Sequence, residues 1–267
     1  MGTSKHPVTL ILDGGSCSTL LTWSTIFAQL ATDYRVIAYE RAGYGMSEPM
    51  LLPTLQEQVN DLVHLVMQIE GDPLILVGHS WGGLLAQVAM WECPSAVSGL
   101  VMLDPSHEEV WADESVVVHG PLISPGTAIW GSRLADLRSE IEIDARETSV
   151  ELTDDVVLRA RYVAAELSYV ATDEQARVWF EEFPMMIGSI NAIRTRRARA
   201  PFIDIPIELL TVATGPGDDQ KVARHASLIG TLGDVHHVVV SDPEHNLHHT
   251  RPTLVLDSIR KVAARCR

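Results

Sequence analysis

The stretch Leu74-Ile75-Leu76-Val77-Gly78-His79-Ser80-Trp81-Gly82-Gly83 constrains this chain most. Its four consecutive apolar residues read as a strand buried on both faces. From Trp81 to Glu92 apolar residues recur at helical spacing, and Pro94 follows as a stop. Ser80 is therefore expected on a sharp turn between a buried strand and a helix start, inside a Gly-x-Ser-x-Gly frame. Gly78 and Gly82 allow a close backbone approach that a Cβ would prevent. The Trp81 N–H, at the positive end of the helix, is expected to point where negative charge would develop beside the serine. The pentapeptide alone is a weak signal, since roughly one chain in ten of this length carries it by chance. Its position between strand and helix gives it weight.

The rest of the chain supplies the matching frame. Val8 to Leu12 is an apolar run ending at Asp13-Gly14-Gly15-Ser16, and Tyr34 to Tyr39 reads as a second strand before a glycine-punctuated turn. Thr54 and Glu57 form a capping-box pattern at the start of a helix whose buried stripe is Leu55, Val59, Leu62, Val63, Val66 and Ile69, with Gly71 as its stop. Val97 to Leu103 is a further strand, ending at Asp104. The pattern resumes at Ile205 to Val212, then a helix near 218–230, a last strand from Val235 to Val240, and a final helix with Pro252 in its first turn. Strands alternating with helices on short connections predict an α/β domain, with a mostly parallel sheet covered on both faces. From Glu108 to Ala200 no buried strand is legible, and helices are predicted over 132–148, 154–171, 173–183 and 186–199. The expected organisation is a core of residues 1–107 and 201–267, with 108–200 inserted as a helical cap over the carboxyl edge of the sheet, where α/β proteins bind ligands.

Composition narrows the partners. At 267 residues and 46% hydrophobic content the chain can build a large core. A net charge of −15, spread along the chain, argues against nucleic acid or an anionic membrane. No apolar run reaches membrane-spanning length, and the first residues do not read as a signal peptide. Cys17, Cys93 and Cys266 are odd in number and far apart, which fits reduced thiols and a cytoplasmic location.

Asp13-Gly14-Gly15, Arg41-x-Gly43-x-Gly45-x-Ser47, Gly78-His79-Ser80-Trp81-Gly82-Gly83 and Glu244-His245 with Pro252 together resemble the α/β-hydrolase superfamily, over most of the chain. The similarity is to its capped, single-domain, esterase-like members. Two departures stand out: Asp13 replaces the histidine usual before the first Gly-Gly, and the chain opens on what would be the third strand, with most of the N-terminal hairpin lacking.

The resemblance implies a nucleophile elbow at Ser80, with His245, after the last strand, as base. His236, His237, His248 and His249 lie nearby, but no Cys/His spacing supports a metal, and neither metal nor cofactor is expected. For the acid, Asp104 at the end of the strand after the elbow is preferred, with Asp218 or Asp219 as alternatives. The oxyanion donors would be the N–H groups of Trp81 and of Gly15, with Ser16 in reserve. Trp111, Trp130, Trp179, Phe183 and Met186 are candidates to line an apolar substrate pocket, against the plainer reading that they pack the cap. Arg194, Arg196, Arg197 and Arg199 read as a solvated helix end rather than an anion site. The implied activity is cleavage of an ester, thioester or lactone of a mostly apolar small molecule. A serine argues against haloalkane dehalogenase and epoxide hydrolase, which attack with aspartate. The alternatives are acyl transfer or C–C hydrolysis on the same residues, or a member that binds its ligand without hydrolysing it.

Overall fold

The computed structural model describes residues 8–48, 50, 52–113, 128–215 and 218–266. Among them six strands form one parallel sheet: β1 (Thr9–Asp13), β2 (Arg35–Ala38), β3 (Leu74–His79), β4 (Gly99–Leu103), β5 (Pro206–Ala213) and β6 (Asp234–Ser241). Their order is β2-β1-β3-β4-β5-β6. After β2 the chain crosses to the other side of β1, so strand order reverses between β1 and β3. Their carboxyl ends stand side by side, with Asp13 in register with Gly78. That reversal opens the crevice in which doubly wound sheets bind ligands.

The apolar runs alternate between two cores. Ile11, Leu74, Leu76, Leu100 and Met102 face one side. Leu10, Leu12, Ile75, Val77, Val101 and Leu103 face the other. The first side is covered by α2 (Leu55–Met67) and α3 (Ser80–Glu92), the second by α1 (Ser24–Asp33) and α12 (Pro252–Arg265). At the start of α2 the Thr54 side chain accepts the Glu57 N–H at 3.2 Å. The Glu57 carboxylate takes the Thr54 hydroxyl at 2.5 Å, not the Thr54 amide a full capping box would use.

Between β4 and β5 lie only helices among the described residues: α4 (Glu108–Asp113), α5 (Ala128–Leu152), α6 (Val156–Ser168), α7 (Asp173–Gly188) and α8 (Ile190–Arg199). They have their own small core of Trp130, Leu134, Ile141, Val170 and Ala176. α5 is longer than the predicted 132–148, and α7 continues through Pro184 where a stop at 183 was predicted. The remaining helices α9 (Asp219–Ala226), α10 (Ile229–Leu232) and α11 (Leu247–Thr250) complete the second half. Among the described residues no helix is long and apolar enough to cross a membrane.

Candidate active site

The carboxyl edge of the sheet gathers the strained backbone. Among the described residues, the non-glycine positions with positive φ are Cys17 (54°), Ser80 (51°) and Asp104 (41°), all in the turns that leave β1, β3 and β4. Such conformations cost about 1–3 kcal/mol each and persist where the surroundings over-determine them, commonly at functional sites. At Ser80 the surroundings are glycines: a Cβ on Gly78 would collide with the Gly82–Gly83 backbone, and one on Gly82 with the carbonyls of Asp13 and Gly14. Gly82 N–H donates to the Gly14 carbonyl at 3.0 Å, and Ser106 N–H to the Ser80 carbonyl at 2.8 Å. A Cβ on Gly15 would stand 3.3 Å from Ser80 Cβ, so the loop after β1 lies directly against the serine. Trp81 is in the first turn of α3, where the helix field is positive.

His245 arrives on the loop after β6, and its Nδ1 meets Asp104 Oδ2 at 2.6 Å. The other Asp104 oxygen accepts the Val212 N–H at 2.9 Å, and Lys221 Nζ lies 3.4 Å from Oδ2. Burial alone would raise the Asp104 carboxyl. The hydrogen bond and charge of His245, with Lys221 and the Val212 amide, outweigh it and hold the group below its ordinary value. The His245 side chain is 49% exposed while Asp104 is 3% exposed, so the pair has a dry end and an open end. Behind it the buried His79 holds Nε2 3.2 Å from the His245 carbonyl, and burial pushes its pKa well below the ordinary histidine value.

Of the two alternatives for the acid, Asp218 is turned toward the amide and hydroxyl of Thr214, and Asp219 is exposed at the start of α9. Neither is brought to His245 in the way Asp104 is. The other histidines have partners of their own: His236 meets Glu208, His237 meets Thr211, and His248 and His249 both meet Thr22.

The five large side chains expected to line a pocket fall in different places. Trp130 is in the small core of the α5–α7 helices with its Nε1 on Asp173, Met186 belongs to the main core, and Phe183 is 43% exposed. Trp130 packs edge-on against Phe180, with ring centroids 5.3 Å apart. The side chain of Trp111 falls outside the described residues. Trp179 does line a cavity, of about 240 Å³, with Cys17, Thr19, Tyr162, Glu166 and His249. In the four-arginine segment Arg199 is exposed as expected, while Arg194 and Arg197 are held by carboxylates. Arg194 grips Glu109 through Nε and Nη2 (2.5 and 2.7 Å), and Arg197 grips Glu108 likewise (2.5 and 2.8 Å).

Sequence reasoning also missed a buried polar group beside Ser80. Asp13 accepts Arg41 Nη1 at 2.6 Å and the Tyr39 hydroxyl at 2.9 Å, and Arg41 also reaches Glu182 of α7. Burial pushes the Asp13 carboxyl up, against the opposing charge of Arg41. The charge that replaces the usual histidine thus has a cation of its own. The available signal was Glu182 itself, a carboxylate one turn from both Val178 and Met186 on the buried face of α7.

A strained serine turn and a buried Asp–His pair share the carboxyl edge of a parallel sheet, and comparison with known proteins gives the family. A profile of the alpha/beta hydrolase family matches residues 14–258, and the chain belongs to that family. It is similar to the 1-acylglycerol-3-phosphate O-acyltransferase ABHD5 of Rattus norvegicus, 33% identical over 108 residues, covering 39% of this chain and 30% of that one. It is also similar to the monoglyceride lipase of Rattus norvegicus, 34% identical over 79 residues, covering 27% and 26%. The similarity thus spans less than a third of the length of either relative. Among solved structures, Cfl2 of Burkholderia cenocepacia superposes with a TM-score of 0.70 at 17% identity, over 98% of this chain and 90% of that one, a likeness of fold.

Proposed function

We propose that the protein is a serine hydrolase acting on an ester, thioester or lactone of a mostly apolar small molecule. The observation that carries this is the 2.6 Å contact between His245 Nδ1 and the buried Asp104, at the same sheet edge where Ser80 is held at φ 51°. With Nδ1–H donated to Asp104, Nε2 of His245 is the basic nitrogen. In the proposed reaction it takes the proton of Ser80 Oγ as Oγ bonds to the substrate carbonyl carbon. The carbonyl oxygen becomes an oxyanion held by the N–H groups of Trp81 and Gly15. The proton passes to the leaving group, the oxyanion collapses to an acyl-enzyme, and water deprotonated by His245 releases the acid. Half-exposure of His245 gives water a route to the acyl-enzyme. Similarity to a monoglyceride lipase supports an ester, and similarity to an acyltransferase makes an alcohol acceptor worth adding to the assay.

Treatment with a small fluorophosphonate, read by intact mass, tests the proposal without a known substrate. A single adduct on the wild type, absent from Ser80→Ala, is expected. A folded wild type that takes no adduct overturns it.

A further inference from the structure

Glu182 is fully buried, and a carboxylate in that position persists only if its oxygens are satisfied. Oε2 accepts the backbone N–H of Cys17 at 2.6 Å and the Tyr44 hydroxyl at 2.9 Å. Oε1 accepts Gln58 Nε2 at 2.8 Å and lies 3.3 Å from Arg41 Nε, in ion-pair rather than hydrogen-bond geometry. All four partners come from the sheet half of the molecule, although Glu182 belongs to cap helix α7.

Three of those partners lead to the groups proposed to hold the oxyanion. Arg41 Nη1 donates to the Gly14 carbonyl at 2.9 Å, and Nη2 donates to the Gly15 carbonyl. The Gly14 carbonyl shares a peptide plane with the Gly15 N–H, and the Gly15 carbonyl shares one with the Ser16 N–H. In a trans peptide the two groups point in opposite directions. Holding each carbonyl therefore aims the N–H on its far side, and donation to the carbonyl polarises that N–H. Cys17, next in the chain, is kept at φ 54° by two contacts from the cap: its N–H on Glu182 and its Sγ on the Trp179 carbonyl at 3.3 Å. Gln58 reaches the other donor residue, its Oε1 accepting Trp81 Nε1 at 2.7 Å.

We propose that Glu182 is a positioning residue for the oxyanion hole, setting the Gly14–Gly15 peptides through Arg41 and Cys17 and the start of α3 through Gln58. The hole then has its working geometry only while α7 is seated on the core. This rests on the serine-hydrolase reading above. A neutral side chain of the same shape would not serve equally, because Arg41 is oriented by two carboxylates, Asp13 on one edge and Glu182 on the other.

The test compares wild type, Glu182→Gln and the milder Tyr44→Phe, which removes one donor to Glu182 and keeps the ring. Turnover of p-nitrophenyl butyrate is measured alongside inhibition by an alkyl trifluoromethyl ketone and by the matching methyl ketone. The trifluoromethyl ketone takes Ser80 Oγ onto its carbonyl carbon, passes the serine proton to His245 and leaves an oxyanion in the hole; the methyl ketone binds unreacted. We expect kcat to fall about tenfold in Glu182→Gln and about threefold in Tyr44→Phe, a fraction of the loss of a whole oxyanion donor, with KM within about twofold. Affinity for the trifluoromethyl ketone should fall by the same factors, and affinity for the methyl ketone should hold. Equal weakening of both ketones, a change in KM alone, or wild-type behaviour in both variants overturns the inference and leaves the hydrolase reading intact. A wild type inert to ester, fluorophosphonate and trifluoromethyl ketone overturns both.

Discussion

Strands β3 and β4 are buried residue for residue, whereas helices α5 and α6 leave Ile143, Val150, Val156 and Val157 more than half exposed. The sheet half is fixed by area: two apolar clusters sandwich it, and burial of that kind is strong but non-directional. The helical insertion α4–α8 adds direction to the apolar contacts that Met186 and Ile193 make with the main core. Its stem, where α4 enters and α8 leaves, is closed by the Arg197–Glu108 and Arg194–Glu109 forks, Arg197 lies over the ring of Trp91 in α3, and α7 is pinned by Glu182. Charged forks specify a register that apolar contact alone leaves loose. The difference is a division of labour: a core that holds the groups of the proposed chemistry, and a helical insertion whose polar anchors decide how it sits against them.

The largest effect should come from the core. Asp104→Asn is expected to lower kcat on p-nitrophenyl butyrate by about 10⁴-fold, through the wrong histidine tautomer and lost imidazolium stabilisation. Asp218→Asn should stay within about twofold of wild type, since its carboxylate faces Thr214. Near-wild-type turnover in Asp104→Asn would break the comparison at its first point.

Next comes the stem. Arg197→Ala strips both forked bonds from Glu108, whose side chain is 1% exposed, and should cost about 3 kcal/mol in urea unfolding. Arg146 makes a similar short contact to Glu142, but on the open face of α5 with both partners well exposed. Its alanine variant should cost less than about 0.5 kcal/mol. Equal costs would mean that the stem forks are as dispensable as surface pairs.

The same division explains what the sequence made legible. Unbroken apolar runs and the strand–Gly-x-Ser-x-Gly–helix join marked β1, β3, β4 and the elbow, because full burial leaves a signal in every residue. Helix α1 buries only Ile26 and Leu30, too short a stripe to announce itself. The acid was harder because β4 and β5 are neighbours, so the carboxyl ends of both lie near the loop that brings His245 back. Which one receives the histidine depends on the path of the chain after β6, not on either strand's residues. Trp130 and Met186 were indistinguishable from pocket residues, since an aromatic or methionine on a cap helix faces a core or a cavity with the same spacing. Glu182 was readable as a charge on a buried stripe, but its partners lie more than a hundred positions away in sequence.

A further expected effect, smaller than that of Asp104→Asn or Arg197→Ala, separates the two halves by the sign of their pH dependence. In the core, burial holds His225 and His107 down at about 4, His225 against the pull of Asp104 and His107 against that of Glu108. Each is neutral when folded, and the unfolded chain takes up protons first. Their contribution is therefore full above about pH 6.5 and is lost as pH falls toward 4. In the cap the sign reverses. Burial pushes the Glu166 carboxyl up to about 7, despite hydrogen bonds from Thr19 and Tyr162, with Asp144 and Glu40 adding to the rise. Between about pH 4.5 and 7 the folded protein keeps this proton while the unfolded chain has released it, so stability falls as pH rises. Glu166→Gln keeps the shape and an acceptor for the Thr19 hydroxyl but has no proton to lose. It should match wild type in unfolding free energy, read by urea titration, near pH 4.5 and exceed it by about 2 kcal/mol above pH 7, the greater part of the shift's value at about 1.4 kcal/mol per pH unit. A gain of the same size at both ends of the range would assign the effect to packing and remove the contrast between cap and core.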